Sequence, residues 1–164
     1  MRLPQIVWLP QGIAAAILAE ADRWFDLETG GSLMGYRANE REIVVTAHID
    51  AGPRATREKY RFEPDQAWQQ ERIDEHYAAS GRLDVYLGDW HTHPRAISAQ
   101  LSYTDRACVR RIISTREARQ SCPIMMLLIG EAGSWEMCPK VCIIQRLWGV
   151  LPWLEENAAK IRLY

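Results

Sequence analysis

The sequence has no surplus of charge of either sign: 20 Lys and Arg face 21 Asp and Glu, a net −1. So balanced a chain has no global field to draw it to nucleic acid or to an anionic membrane, and neither partner is expected. It also lacks any apolar run near the roughly 20 residues that a membrane-crossing helix needs. The apolar segment Ile13 to Leu18 lacks the layout of a signal peptide, so a helix is expected there. Cysteines are few, at positions 108, 122, 138 and 142. With no secretion signal and Cys108 in an expected helix, these read as reduced thiols of a cytoplasmic protein. Cys138 and Cys142 are spaced C-x3-C, not C-x2-C, and have no second pair. That disfavours a zinc knuckle and leaves buried small hydrophobes. No repeat and no low-complexity tract is present.

What remains is an ordinary globular composition, 48% hydrophobic and 25% charged over 164 residues, the length of one domain with a substantial core. Helical spacing of Ile13, Ile17, Leu18 and Trp24 predicts a helix over 11–25. Segments 30–37 and 41–51 read as a hairpin turning at Ala38-Asn39-Glu40. Residues 52–63 read as a basic loop behind Gly52-Pro53. Pro64 and Gly81 bracket a second helix. Residues 83–93 read as a strand, largely apolar from Leu83 to Leu87 and running into "GDWHTHP". A third helix begins at Ser102 and runs to about Arg119. Segments 122–130 and 134–145 read as a second hairpin, across Glu131-Ala132-Gly133. The tail from Leu147 reads as a short turn and a helix. The sum is a single α/β (α+β mixed) domain over 1–164, a mixed sheet flanked by helices, with its motif-bearing core at about 10–145 and an extension at 146–164.

Two features carry chemistry. His91 and His93 stand two apart on a strand, so their side chains share a face while Thr92 points the other way. Asp105 lies in the first turn of the following helix, where the connecting loop can return it over the strand end. Two imidazoles, a carboxylate and an open position are the donor set of a catalytic zinc; structural zinc sites are closed and rich in cysteine. Either piece alone has an ordinary explanation, since Ser102 and Asp105 also form the S-x-x-[D/E] pattern of a helix N-terminus. Their conjunction is harder to dismiss.

"HTHP" followed by "SYTD" resembles the H-x-H-x7-S-x2-D signature of the JAMM (MPN+, JAB) metallopeptidases, and "ETGGSLMG", from Glu28 to Gly35, resembles that family's E-x-G-G-x-L-x-G. The likeness extends over roughly residues 10–145, and in "YLGDWHTHP" is similar to stand-alone bacterial JAB proteins found beside ubiquitin-like conjugation genes. It implies the cytidine-deaminase-like JAB/MPN fold, with His91, His93 and Asp105 as ligands of Zn2+. It further implies Glu28 as general base and Ser102 as support for the oxyanion. In one place the chain departs from the pattern: eight residues, Pro94 to Leu101, separate His93 from Ser102 where the family has seven.

The implied activity is hydrolysis of the amide bond after the C-terminus of a ubiquitin-like protein. The implied setting is an antiphage conjugation system of the CBASS type, with E1/E2-like proteins of the same operon as partners. Rival readings are a JAMM hydrolase of a small substrate or sulfur-carrier tail, a non-catalytic MPN-type scaffold, and a DNA-associated relative. The intact Glu28, His91, His93 and Asp105 speak against the scaffold, and the charge balance against DNA. Trp90 is expected in the core. Asp89 is either an orienting partner for an imidazole or a solvated acid. His48 and His76 read as structural, and Arg54, Arg57, Lys59 and Arg61 as a solvated basic run or a contact for an acidic partner. Oligomeric state has no signature in the sequence, and the Trp-rich segment 148–164 fits either the core or a second copy.

Overall fold

The computed structural model describes residues 3–147 and 150–164. The first element, β1 (Ile6–Leu9), has no clear signal in the sequence, because four residues are too few to show alternation. It leads through Pro10 into α1 (Gln11–Arg23), whose buried Ala14, Ile17 and Ala21 lie on one face. Then follow β2 (Gly30–Arg37) and β3 (Glu42–Ile49), the expected hairpin.

Residues 52–63 are not an open loop. They hold a small hairpin of their own, β4 (Thr56–Glu58) and β5 (Arg61–Glu63), which pair only with each other. The second helix, α2 (Gln66–Ala79), is capped by Asp65, whose carboxylate accepts from the Trp68 amide at 3.3 Å and is clamped by Arg54 at 2.9 Å. Strand β6 (Val85–Pro94) carries both histidines and leads to α3 (Tyr103–Ser114). That helix ends earlier than expected, and a short 3-10 turn at Arg116–Ala118 completes the segment. The second hairpin is β7 (Ile124–Glu131) with β8 (Ser134–Leu147).

The tail departs from expectation in kind. In place of a helix it forms β9 (Leu151–Ala158) and β10 (Lys160–Leu163); residues 148 and 149 of the expected turn lie outside the described residues. Backbone pairing explains the override: β9 runs antiparallel to β8, and β10 lies parallel to β1. Only Ala159 separates them, its amide bonded to Pro139 of β8 and the next amide to Gln5 beside β1. The eight-stranded sheet, in the order β10-β1-β3-β2-β6-β7-β8-β9, is therefore curled so that one strand run spans its two ends.

A mixed sheet with helices on its faces is the expected class. One face packs Ile17, Leu33, Trp90 and Met126 in the core beneath α1. The other packs Leu101, Val109, Met125 and Leu127 beneath α3. Trp90 is in the core as expected, and because successive side chains alternate, His91 faces α3.

A candidate metal centre at the end of β6

Antiparallel pairing of β2 with β6 sets Gly30 opposite His91 and Gly31 opposite Trp90. Both glycines are required by close approach. A Cβ on Gly30 would run into the Trp90 carbonyl oxygen and the His91 Cβ, and one on Gly31 into the Ile49 carbonyl oxygen. Just before this pair, Thr29 and Thr92 are stitched together. The Thr29 amide donates to Thr92 Oγ1 at 2.9 Å, and the Thr92 amide to the Thr29 carbonyl at 2.8 Å. Glu28 therefore emerges beside the ligand strand, with the parity of Gly30 and the face of the two histidines. Its amide donates to the Glu58 carbonyl of β4 at 2.9 Å.

From the opposite side, α3 delivers Asp105. Ser102 and Asp105 form a reciprocal cap: the Asp105 amide donates to Ser102 Oγ at 3.1 Å, and the Ser102 amide to Asp105 Oδ2 at 2.7 Å. The cap orients the Asp105 carboxylate, and the Ser102 hydroxyl is exposed. The eight-residue connection holds its length at the surface. Arg95, in a left-handed conformation, donates its amide to Gly130, Ile97 is fully exposed, and buried Leu101 anchors the far end.

The three expected ligands converge. His91 Nε2 lies 2.9 Å from His93 Nε2 and 3.1 Å from Asp105 Oδ1, and His93 Nε2 lies 3.5 Å from Asp105 Oδ2. One donor atom from each residue falls within 4.8 Å of the others. Ligands about 2.0–2.2 Å from a tetrahedral zinc stand about 3.3–3.6 Å apart, so the spacing matches such an ion within a few tenths of an ångström. Two ring nitrogens pointing at each other and at one carboxylate are also poorly served by hydrogen bonds alone, because a neutral imidazole has only one N–H to give. The donor set fits a divalent cation of the zinc type.

The electrostatics agree. Burial, with the neighbouring His91, lowers the His93 pKa and so favours the neutral ring that a metal requires. Burial alone would raise Asp105, but hydrogen bonds from His91 and Ser102 outweigh it and hold the carboxyl well below its usual range. Glu28 moves the other way: burial, helped by Asp105 and opposed by His91, raises it to about 7. Two carboxyls with values pushed apart at one site are the pattern of a permanent anion beside a proton-transfer group.

Asp89 shares the ligand face, yet it accepts a hydrogen bond from Ser32 Oγ of β2 at 2.9 Å, and no bond to an imidazole is present among the described residues. His76 is structural, 2.9 Å from Asp84, which also accepts from Thr46 at 2.6 Å. His48 is held below its usual pKa by burial in the sheet. The cysteines are free thiols; burial pushes Cys142 up to about 12 and Cys138 up to about 11, away from reactivity. Of the basic run, Arg54 and Arg61 pair with Asp65 and Glu63, and Arg57 is partly buried against Glu20. Arg54, Lys59 and Arg61 stay exposed, as a solvated run would be, and Arg57 alone is turned inward. Thr29, Thr92 and Arg57 have no signal in the sequence as site residues; only the two-residue alternation of β6, which turns Thr92 away from the ligands, hints at a separate task.

With this geometry in view, likeness to known proteins is informative. The family model for prokaryotic homologs of the JAB domain matches residues 10–138. The probable metalloprotease y4qB of Sinorhizobium fredii is 48% identical over 133 residues, 81% of either chain. Proteins named CD-NTase/cGAS isopeptidase in Escherichia coli and Vibrio cholerae are 28% and 31% identical over 108 residues, 66% of this chain and 65% of theirs. The solution structure of protein DSY2949 from Desulfitobacterium hafniense shares the fold, with a TM-score of 0.65 at 19% identity, over 96% of this chain and 92% of that one. The matched span holds Glu28, the two histidines and Asp105 together, and the chain belongs to the prokaryotic JAB family of metallopeptidases.

Proposed function

We propose that this protein is a zinc-dependent isopeptidase or peptidase that hydrolyses the amide bond after the C-terminus of a ubiquitin-like protein. Its setting is a bacterial antiphage conjugation system in the cytoplasm, with E1/E2-like proteins of the same operon as partners. One observation carries the chemistry: Glu28 stands close enough to a convergent His91, His93 and Asp105 to feel the charges of His91 and Asp105. The names of the two isopeptidase relatives support the substrate class and the setting. The four free thiols support a reducing compartment, and among the described residues no helix is long and apolar enough to cross a membrane.

In this reading His91, His93 and Asp105 hold the ion. Bound there, zinc supplies Lewis acidity, polarising the scissile carbonyl and acidifying a water toward a pKa of about 7. Glu28 accepts a proton from the attacking water and returns it to the departing amine. The Ser102 hydroxyl donates toward the carbonyl oxygen as negative charge grows there. The sum consumes one water and yields a carboxylate and an amine.

The test offers wild type and Glu28→Ala a ubiquitin-like protein from the same operon, fused through its C-terminus to a cargo. Release by wild type and loss of release in the variant are expected. Release that persists unchanged in Glu28→Ala refutes the mechanism, and release of a short peptide but never of the fused modifier refutes the substrate class.

A further inference from the structure

The small hairpin β4–β5 presents a physical puzzle. Strands of three residues that pair only with each other have little stability of their own. Yet the Glu58 carbonyl of this hairpin holds the amide of Glu28 at 2.9 Å. The tip is exposed, Tyr60 being 83% accessible, so the anchor must lie elsewhere.

The anchor is Arg57, whose side chain is only 11% exposed. Its Nε donates to Thr29 Oγ1 at 3.0 Å, and a terminal nitrogen donates to Glu20 Oε1 on α1 at 3.3 Å. Its guanidinium lies 4.2 Å from the centroid of the Trp24 ring. The Thr29 hydroxyl completes the network by donating to the same Glu20 oxygen at 3.4 Å. One planar cation therefore ties together α1, the hairpin and the residue that follows Glu28. Fork geometry and ring stacking are properties of arginine that lysine does not reproduce.

We propose that Arg57 is a positioning residue for the reaction, fixing the Glu28–Thr29 segment against β6 so that the Glu28 carboxylate meets the ligand cluster at a working distance. This rests on Glu28 being the proton-transfer group proposed above. The ligands themselves sit on β6 and α3, and Arg57 bonds to none of them; its route to β6 runs through Thr29, whose backbone pairs with Thr92. Loss of Arg57 thus separates two quantities: metal binding persists while turnover falls. A displacement of about 1 Å in a catalytic group can cost on the order of 10²-fold in rate, with little effect on binding of a substrate that Arg57 does not touch.

The experiment compares wild type with Arg57→Ala, Arg57→Lys and Thr29→Val. Three quantities are read: bound zinc per chain, kcat and KM for the fused modifier, and hydrogen exchange at the Glu28 amide. Arg57→Ala is expected to keep one zinc per chain and a KM within about twofold, to lose on the order of 10²-fold in kcat, and to exchange the Glu28 amide faster. Arg57→Lys retains part of kcat. Thr29→Val, which removes one hydroxyl and keeps the side-chain shape, reproduces the direction of the effect if Arg57→Ala does not fold. A kcat within twofold of wild type in the folded variants, an unchanged Glu28 exchange rate, or loss of zinc in step with kcat overturns the proposal. If wild type itself fails to release the cargo, the substrate assignment falls, while zinc retention and amide exchange still decide the role of Arg57.

Discussion

Substituting Glu28 by glutamine should make the metal-free protein more stable at neutral pH while it abolishes turnover. Burial and Asp105 raise this carboxyl from its ordinary 4.5 to about 7. Between those values the native state keeps a proton that the unfolded chain has released. Stability associated with Glu28 is therefore fully present below about pH 4.5 and is lost as pH rises through about 7. At 1.36 kcal/mol per pH unit, the interval corresponds to at most about 3 kcal/mol; Glu28 keeps some contact with solvent, which screens the interaction to about 1–2 kcal/mol. Glutamine carries no charge at any of these pH values and so escapes the penalty. In a chain of this length each kcal/mol moves the melting temperature by about 2–4 °C. The assay is thermal or urea unfolding of the zinc-free wild type and Glu28→Gln at pH 4 and pH 8. Near-equal stability at pH 4 and a Glu28→Gln advantage at pH 8 are expected. Saturating zinc should erase the advantage, because an adjacent cation stabilises the carboxylate. Parallel stability curves for the two proteins between pH 4 and 8 would refute the reasoning, since Glu28 would then not be held in its protonated form by its surroundings.

Asp105→Asn should lower zinc affinity by at least about 10²-fold, read by competition with a chelator, because a charged donor becomes a neutral one while the helix cap survives in part. Gly30→Ala should destabilise the fold by about 1–3 kcal/mol in urea unfolding, since the new methyl group meets the Trp90 carbonyl and His91 rather than open space. Ser102→Gly removes the hydroxyl but costs the helix cap only a few tenths of a kcal/mol, so a kcat loss of about 10²–10³-fold at near-wild-type stability would assign the effect to oxyanion support. If Ser102→Gly turns over normally and only Ser102→Ala is impaired, the serine is a cap and nothing more.

What was legible in this sequence, and what was not, divides along the range of the interactions concerned. The histidine pair, the Ser102–Asp105 cap and the two long hairpins are written in local spacing, where a period of two or a three-residue step fixes which side chains meet. Glu28 is distant in sequence, and only the resemblance of its Gly-Gly neighbourhood pointed to it; the structure supplies the reason, because those glycines admit the ligand strand. The tail was misread as helix because its local composition does not register that two open sheet ends, β8 and β1, both offer unpaired backbone to residues 151–163. Of the basic run, only Arg57 departs from expectation, for a related cause. Arginine in a loop is normally solvated, and nothing near Arg57 in sequence discloses that Glu20, Trp24 and Thr29 surround it in space. Spacing therefore disclosed the three side chains whose donor atoms converge. The residues that surround the Glu28–Thr29 segment, Thr92 and Arg57, reach it by contacts between segments up to 63 residues apart, beyond the reach of any local pattern.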